Sequence, residues 1–110
     1  MKTKKTISTE MIAKRNEYLV LVAKMTGLAA DDIMSRCRKH ELVQARFLLI
    51  WALCELCGYT RTDVAILMRM SHMNVVYAVK VMNGLQWRLK ESEQQCKQML
   101  TDYWEKGVQP

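Results

Sequence analysis

The stretch from residue 60 to 82 constrains the fold most, because it predicts two short helices that meet at a tight corner. Thr60, with Asp63 three residues later, is a capping-box-like start for the first helix, and Ser71 is placed to cap the second. Small Ala65 allows the close crossing that a helix-turn-helix pair needs. Apolar residues follow each start at helical spacing: Val64, Leu67 and Met68, then Val75, Ala78, Val79 and Met82.

The rest of the chain also shows helical periodicity and no strand pattern. We expect a first helix from Thr9 that ends at Gly27, a short turn of helix at Asp31–Met34, and a buried central helix over Leu42–Leu56. A last amphipathic helix follows a break at Asn83-Gly84. Its apolar positions are Cys96, Met99, Leu100, Tyr103 and Trp104, those of the first helix are Ile12, Tyr18, Leu19, Val22 and Met25, and Leu85, Trp87 and Leu89 lie before the last helix.

These helices predict a compact all-α bundle of about five to six helices that contains a helix-turn-helix. Half of the 110 residues are apolar, so one domain can bury a modest core without disulfides or a metal. We expect a flexible basic tail over residues 1–8, a single helical domain over 9–106 and a short tail over 107–110.

The net charge of +6 is concentrated in the middle of the sequence. Residues 36–90 carry nine Lys or Arg side chains against three acidic ones, whereas the remaining segments are nearly balanced or acidic. A basic central segment suits a nucleic acid, because phosphate contacts supply most sequence-independent affinity. The alternative is a basic surface that is only solvated.

The sequence contains no segment that predicts a membrane location. The longest apolar run, residues 47–54, is far shorter than the ~20 residues of a spanning helix, and no apolar stretch follows the basic N-terminus. We therefore expect a cytoplasmic protein. In that compartment the four cysteines remain reduced and act as small apolar residues.

The Cys54-Glu55-Leu56-Cys57 segment is a CxxC motif, which elsewhere marks zinc or redox sites. Here the pair lies near the end of the central helix, and no second CxxC or close histidine pair completes a tetrahedral site. We expect both cysteines in the core, with no metal and no cofactor. The sequence also has no catalytic triad pattern or Gly-rich phosphate loop, so we expect neither an enzyme nor a nucleotide-binding protein.

An ordered series of residues carries a family resemblance across roughly three quarters of the chain. It includes Val22-Ala23, the run Asp32 to Arg36, Arg38, Ala45-Arg46, Glu55-Leu56, Thr60, Asp63 to Ala65, His72, Val75 and Ala78. This series resembles the C-terminal DNA-binding domain (domain IV) of the bacterial replication initiator DnaA, a fold related to the Trp repressor. The resemblance implies a helix-turn-helix whose second helix enters the major groove while an upstream basic loop contacts the minor groove.

The resemblance assigns roles to particular positions. The base-reading positions at the start of the second helix are Ser71, His72, Met73 and Asn74, and only His72 matches the family's Asp-His-Thr-Thr. Asn74 suits adenine, Met73 a thymine methyl, and Ser71 a phosphate or base edge, so the specificity is altered. The loop residues are Arg36, Arg38 and Lys39, and the phosphate candidates are Arg46, Arg61, Arg69, Tyr77 and Lys80.

The sequence thus predicts double-stranded DNA binding by a regulator of transcription or replication that has no ATPase module. The turn at Arg69-Met70 is one residue shorter than the family's Gly-rich turn, so the family's DNA site is not carried over. The alternative is a helical module that binds a protein partner, or itself as a homodimer, through Met70, Met73 and Tyr77 or through the last helix.

Overall fold

The structure, a computed structural model, describes residues 7–85 and 88–107. Within these ranges it contains six α-helices and no strand. The expected all-α bundle is therefore confirmed. The helices are α1 (Thr9–Thr26), α2 (Ala30–Met34), α3 (His40–Trp51), α4 (Arg61–Met68), α5 (His72–Met82) and α6 (Glu91–Gly107). A π-helical turn, Ala52–Leu56, continues α3.

Short-range signals set the ends of α1 as expected. The Ser8 hydroxyl accepts a hydrogen bond from the Met11 amide at 3.1 Å, and Gly27 takes the left-handed conformation, with φ of 75°, that ends the helix. Ser8 belongs to the predicted N-terminal tail, and residues 1–6 of that tail lie outside the described part. Tyr18, Leu19 and Val22 are buried, but Ile12 is 40% exposed and is not a core residue.

The central helix is the hub of the bundle. Its buried residues include Leu49 and Ile50, and α3 packs against α1, α2 and α5. The predicted helix over Leu42–Leu56 has two parts, since the amide of Cys57 donates to the carbonyl of Ala52, five residues back, at 3.0 Å. Gly58, with φ of 77°, follows this wider turn and stops the helix from continuing.

Helices α4 and α5 share the core face that their apolar spacing predicts. All seven of the apolar positions named for this pair are buried, as is Ala65. Thr60 accepts from the Asp63 amide at 3.1 Å, and Ser71 accepts from the Asn74 amide at 3.2 Å, so both predicted caps are present. Only residues 69–71 separate the two helices.

The last helix, α6, closes the bundle against α1 and the π-helical turn. Leu100 is fully buried, the ring of Tyr103 meets that of Tyr18 edge-on at 5.5 Å, and the Tyr103 hydroxyl donates to Glu17. Met99 is exposed, and Trp87 lies outside the described residues. No helix within 7–85 and 88–107 combines the length and the apolar character needed to cross a bilayer.

Candidate functional site

The basic loop between α2 and α3 forms one wall of the candidate site. Residues 36–39 have no regular secondary structure, and Arg36, Arg38 and Lys39 are exposed. The loop is short because α2 ends at Met34 and α3 begins at His40. Arg36 and Arg38, with Cys37 between them, are thus held in a short exposed loop.

The first turn of α5 forms the facing wall. Ser71 is the N-cap, and its hydroxyl oxygen is used by the Asn74 amide. The side chains of His72, Met73 and Asn74 are exposed, and Met73 is 71% exposed. These side chains surround a helix N-terminus, whose free amides and dipole favour an anion.

The turn before α5 has an unusual backbone. Arg69 has φ of 58° and ψ of 47°, and among the described residues it is the only one other than glycine with positive φ. Its amide donates to the carbonyl of Ile66 at 3.2 Å, and the Met70 amide donates to that of Ala65 at 3.0 Å. This is the Schellman pattern, in which glycine usually occupies the position of Arg69.

A groove of about 870 Å³ joins these three features. Its charged lining consists of four arginines, and no Asp or Glu lines it. In the described part of the chain, Arg36, Arg38 and Arg69 form no ion pair with a carboxylate. The lining residues are Met34, Ser35, Arg36, Arg38, Arg46, Thr62, Ala65, Ile66, Met68, Arg69, Met70, Ser71, His72 and Asn74.

The groove brings together seven of the twelve predicted site residues. Arg36, Arg38, Arg46, Arg69, Ser71, His72 and Asn74 line it. Met73, Lys39 and Lys80 are exposed but do not line the groove. Arg61 lies at the other end of α4, where its guanidinium is 3.5 Å from the Glu55 carboxylate, and Tyr77 stacks edge-on against Phe47 with ring centroids 6.0 Å apart.

Arg46 differs from the other groove arginines because its guanidinium bonds to the protein itself. Its Nε donates to the Ile33 carbonyl at 2.6 Å and its Nη2 to the Cys37 carbonyl at 2.5 Å. Partial burial lowers the pKa of this guanidinium, which remains charged at neutral pH. The predicted phosphate contact of Arg46 stays a prediction.

Arg15 is a residue near the site that sequence reasoning missed. It lies on α1, and its Nη1 donates to the Leu67 carbonyl, near the end of α4, at 2.8 Å. Burial lowers the pKa of Arg15, and the neighbouring charge of Arg69 lowers it further. A single arginine in an amphipathic helix carries no local signal for a contact 52 positions away.

The CxxC cysteines lie away from this groove. Cys54 is buried and Cys57 is half-buried, and burial raises the pKa of each thiol to about 11. Within the described ranges, no group of three His, Cys, Asp or Glu side chains is arranged to hold a metal ion.

In comparisons with known proteins, no family model, curated protein or solved structure matches the chain. The geometry and charge of the groove are therefore the basis for assigning a function.

Proposed function

We propose that this chain binds double-stranded DNA through the groove between loop 36–39 and the first turn of α5. The observation that carries the proposal is the lining of the groove, which has four arginines and no acidic side chain. Arg36, Arg38 and Arg69 have no carboxylate partner in the described chain, so their charges are available for phosphates. On this proposal the chain acts as a DNA-binding regulator of transcription or replication.

The size and lining of the groove suit one sugar-phosphate strand. A helix in the major groove and a loop in the neighbouring minor groove must straddle the strand that separates the two grooves. Arginines would hold its phosphates, while Met34, Ile66 and Met70 offer apolar surface to its sugars. The free amides at the start of α5 would add a phosphate contact.

The exposed side chains of the first turn of α5 would read the bases. Asn74 can make a bidentate contact with adenine, and Met73 can pack on a thymine methyl group. Ser71 already accepts a hydrogen bond as the helix cap, which leaves its hydroxyl proton for a phosphate or base. The pair Met73 and Asn74 therefore favours sites that contain A·T pairs.

A protein partner is the second candidate, because Met73 and Ile66 are large apolar side chains that remain exposed. The two candidates differ in their salt dependence. DNA affinity falls with a log-log slope of about 0.9 per phosphate contacted, whereas apolar docking is nearly independent of salt.

Selection of bound duplexes from a random pool tests the proposal. We expect an enriched motif that contains A·T pairs, and we expect this enrichment to weaken in a Met73→Ala/Asn74→Ala variant while arginine-dependent binding remains. The control is Lys24→Ala, at an exposed position on α1, and this variant should enrich the same motif as the wild-type protein. Failure of the wild-type protein to retain any duplex at low salt would refute the proposal.

A further inference from the structure

Loop 36–39 has no regular secondary structure, so other groups must hold its backbone in place. Ser35 supplies the first set of contacts. Its hydroxyl donates to the Asp32 carbonyl at 2.6 Å and accepts from the Cys37 amide at 3.2 Å. The amide of Ser35 also donates to the Asp32 carbonyl, at 3.1 Å. The start of the loop is thereby tied to the last turn of α2.

Arg46, on α3, supplies the second set. Its two hydrogen bonds join the carbonyl of Ile33, in α2, to the carbonyl of Cys37, in the loop. Two of the three guanidinium nitrogens are used in this way. The guanidinium holds these two donors in a fixed planar geometry, and the single ammonium of a lysine does not reproduce that geometry.

The two sets of contacts meet at Cys37, whose amide is held by Ser35 and whose carbonyl is held by Arg46. The Cys37 amide belongs to the planar peptide group shared with Arg36, and the Cys37 carbonyl belongs to the one shared with Arg38. Arg36 and Arg38 both line the groove, whereas Cys37 between them does not. Fixing the Cys37 peptide groups therefore fixes the direction of both neighbouring arginines.

We propose that Ser35 and Arg46 are positioning residues that pre-organise Arg36 and Arg38 for one DNA strand. This inference rests on the proposed function, and it gives Arg46 a different role from direct phosphate contact. Pre-organisation strengthens binding because the loop and two long side chains lose less freedom when the strand arrives.

The test compares Arg46→Lys in two backgrounds, the wild-type chain and the Arg36→Ala/Arg38→Ala chain, by duplex titration at low salt. A positioning residue acts through the two arginines, so we expect about a tenfold loss of affinity in the first background and less than about twofold in the second. Direct phosphate contact predicts equal losses in both. Equal losses, or no loss in the wild-type background, would overturn the inference.

Amide hydrogen exchange of the free protein gives a readout that is independent of DNA. We expect exchange at Cys37 to accelerate at least about tenfold in Arg46→Lys and in Ser35→Ala, while Ser35→Thr, which keeps the hydroxyl, remains near wild type. Unchanged exchange in the first two variants would refute the positioning role. Faster exchange combined with no DNA binding by wild-type protein would instead refute the proposed function alone.

Discussion

The two turns that flank α5 have the same backbone pattern but different side chains. Each ends a helix with a Schellman pair of hydrogen bonds around a residue of positive φ. Before α5 this residue is Arg69, and after α5 it is Gly84, with φ of 75°. Glycine is the residue expected at both positions, since a side chain in this conformation costs about 1 kcal/mol.

The turn after α5 is anchored to the core by polar contacts. The Asn83 side-chain oxygen accepts a hydrogen bond from Trp51 Nε1 at 2.9 Å, and Lys97 Nζ donates to the Met82 carbonyl at 2.6 Å. The same ammonium lies 4.9 Å from the centroid of the Trp51 ring. These contacts stabilise the packing of α3, α5 and α6.

The turn before α5 has one comparable contact, because Arg15 Nη1 donates to the Leu67 carbonyl at 2.8 Å, but its positive-φ position holds the exposed Arg69. Arg69 lines the groove, and within the described residues its side chain makes no ion pair or hydrogen bond that would offset the strain of its backbone. Strain of this kind is found where a side chain serves binding. We therefore propose that the turn after α5 contributes mainly to stability, whereas Arg69 in the turn before α5 contacts a DNA phosphate.

The largest expected effect is a loss of stability when Asn83, in the turn after α5, is replaced in Asn83→Ala. Trp51 is 7% exposed, so its indole N–H would lose its partner in a site that water reaches poorly. We expect the free energy of unfolding to fall by about 2 kcal/mol, measured by urea denaturation. Asn83→Asp keeps an acceptor oxygen and should unfold near the wild-type midpoint; equal loss in both variants would show that the indole bond is not the cause.

In the turn before α5, substitution of Arg69 should change stability and DNA affinity in opposite directions. Arg69→Gly relieves the backbone strain, so we expect about 1 kcal/mol of added stability together with about tenfold weaker DNA binding. Gly84→Ala should do the opposite, with about 1 kcal/mol of lost stability and little change in affinity.

Arg69→Lys is the matched control, since it keeps the charge and the strain. We expect its stability to be unchanged and its affinity to remain within about threefold of wild type. The proposed division between the two turns would be wrong if Arg69→Gly gained stability and bound DNA as tightly as the wild-type protein.

The last prediction compares the rates at which a thiol reagent modifies Cys37, in loop 36–39, and the cysteines of the core. Cys37 is exposed beside the groove, whereas burial raises the pKa of Cys54 and of Cys57 to about 11. Because the thiolate is the reactive form, maleimide at pH 7 should modify Cys37 first, followed slowly by the core thiols. Peptide mapping over time checks the order. Equal rates at Cys37 and Cys54 would contradict the described burial.

Features encoded by neighbouring residues could be predicted from the sequence. The caps at Thr60 and Ser71 and the end of α1 at Gly27 depend on contacts within one helical turn, and all three are confirmed. The π-helical turn at 52–56 could not be predicted, because residues 47–54 are apolar on every face and carry no clear period.

Contacts between distant residues were also beyond sequence reasoning. Arg46 is 13 positions from Ile33, and Arg15 is 52 positions from Leu67. A guanidinium gives the same local signal whether it bonds to a carbonyl or faces solvent. The positions of the candidate site followed from the resemblance, but the groove that joins the loop to α5 required the structure.

The proposed contact of Arg36 and Arg38 with phosphates, from one wall of the groove, can be measured through the salt dependence of duplex binding. Fluorescence anisotropy of a labelled duplex over a salt series should give an Arg36→Ala/Arg38→Ala slope that is shallower than wild type by about 1.8, with much weaker affinity. Lys24→Ala/Lys106→Ala removes the same charge from exposed positions on α1 and α6 and should leave the slope unchanged. An identical slope and affinity for wild-type and Arg36→Ala/Arg38→Ala protein would contradict the proposed phosphate contact.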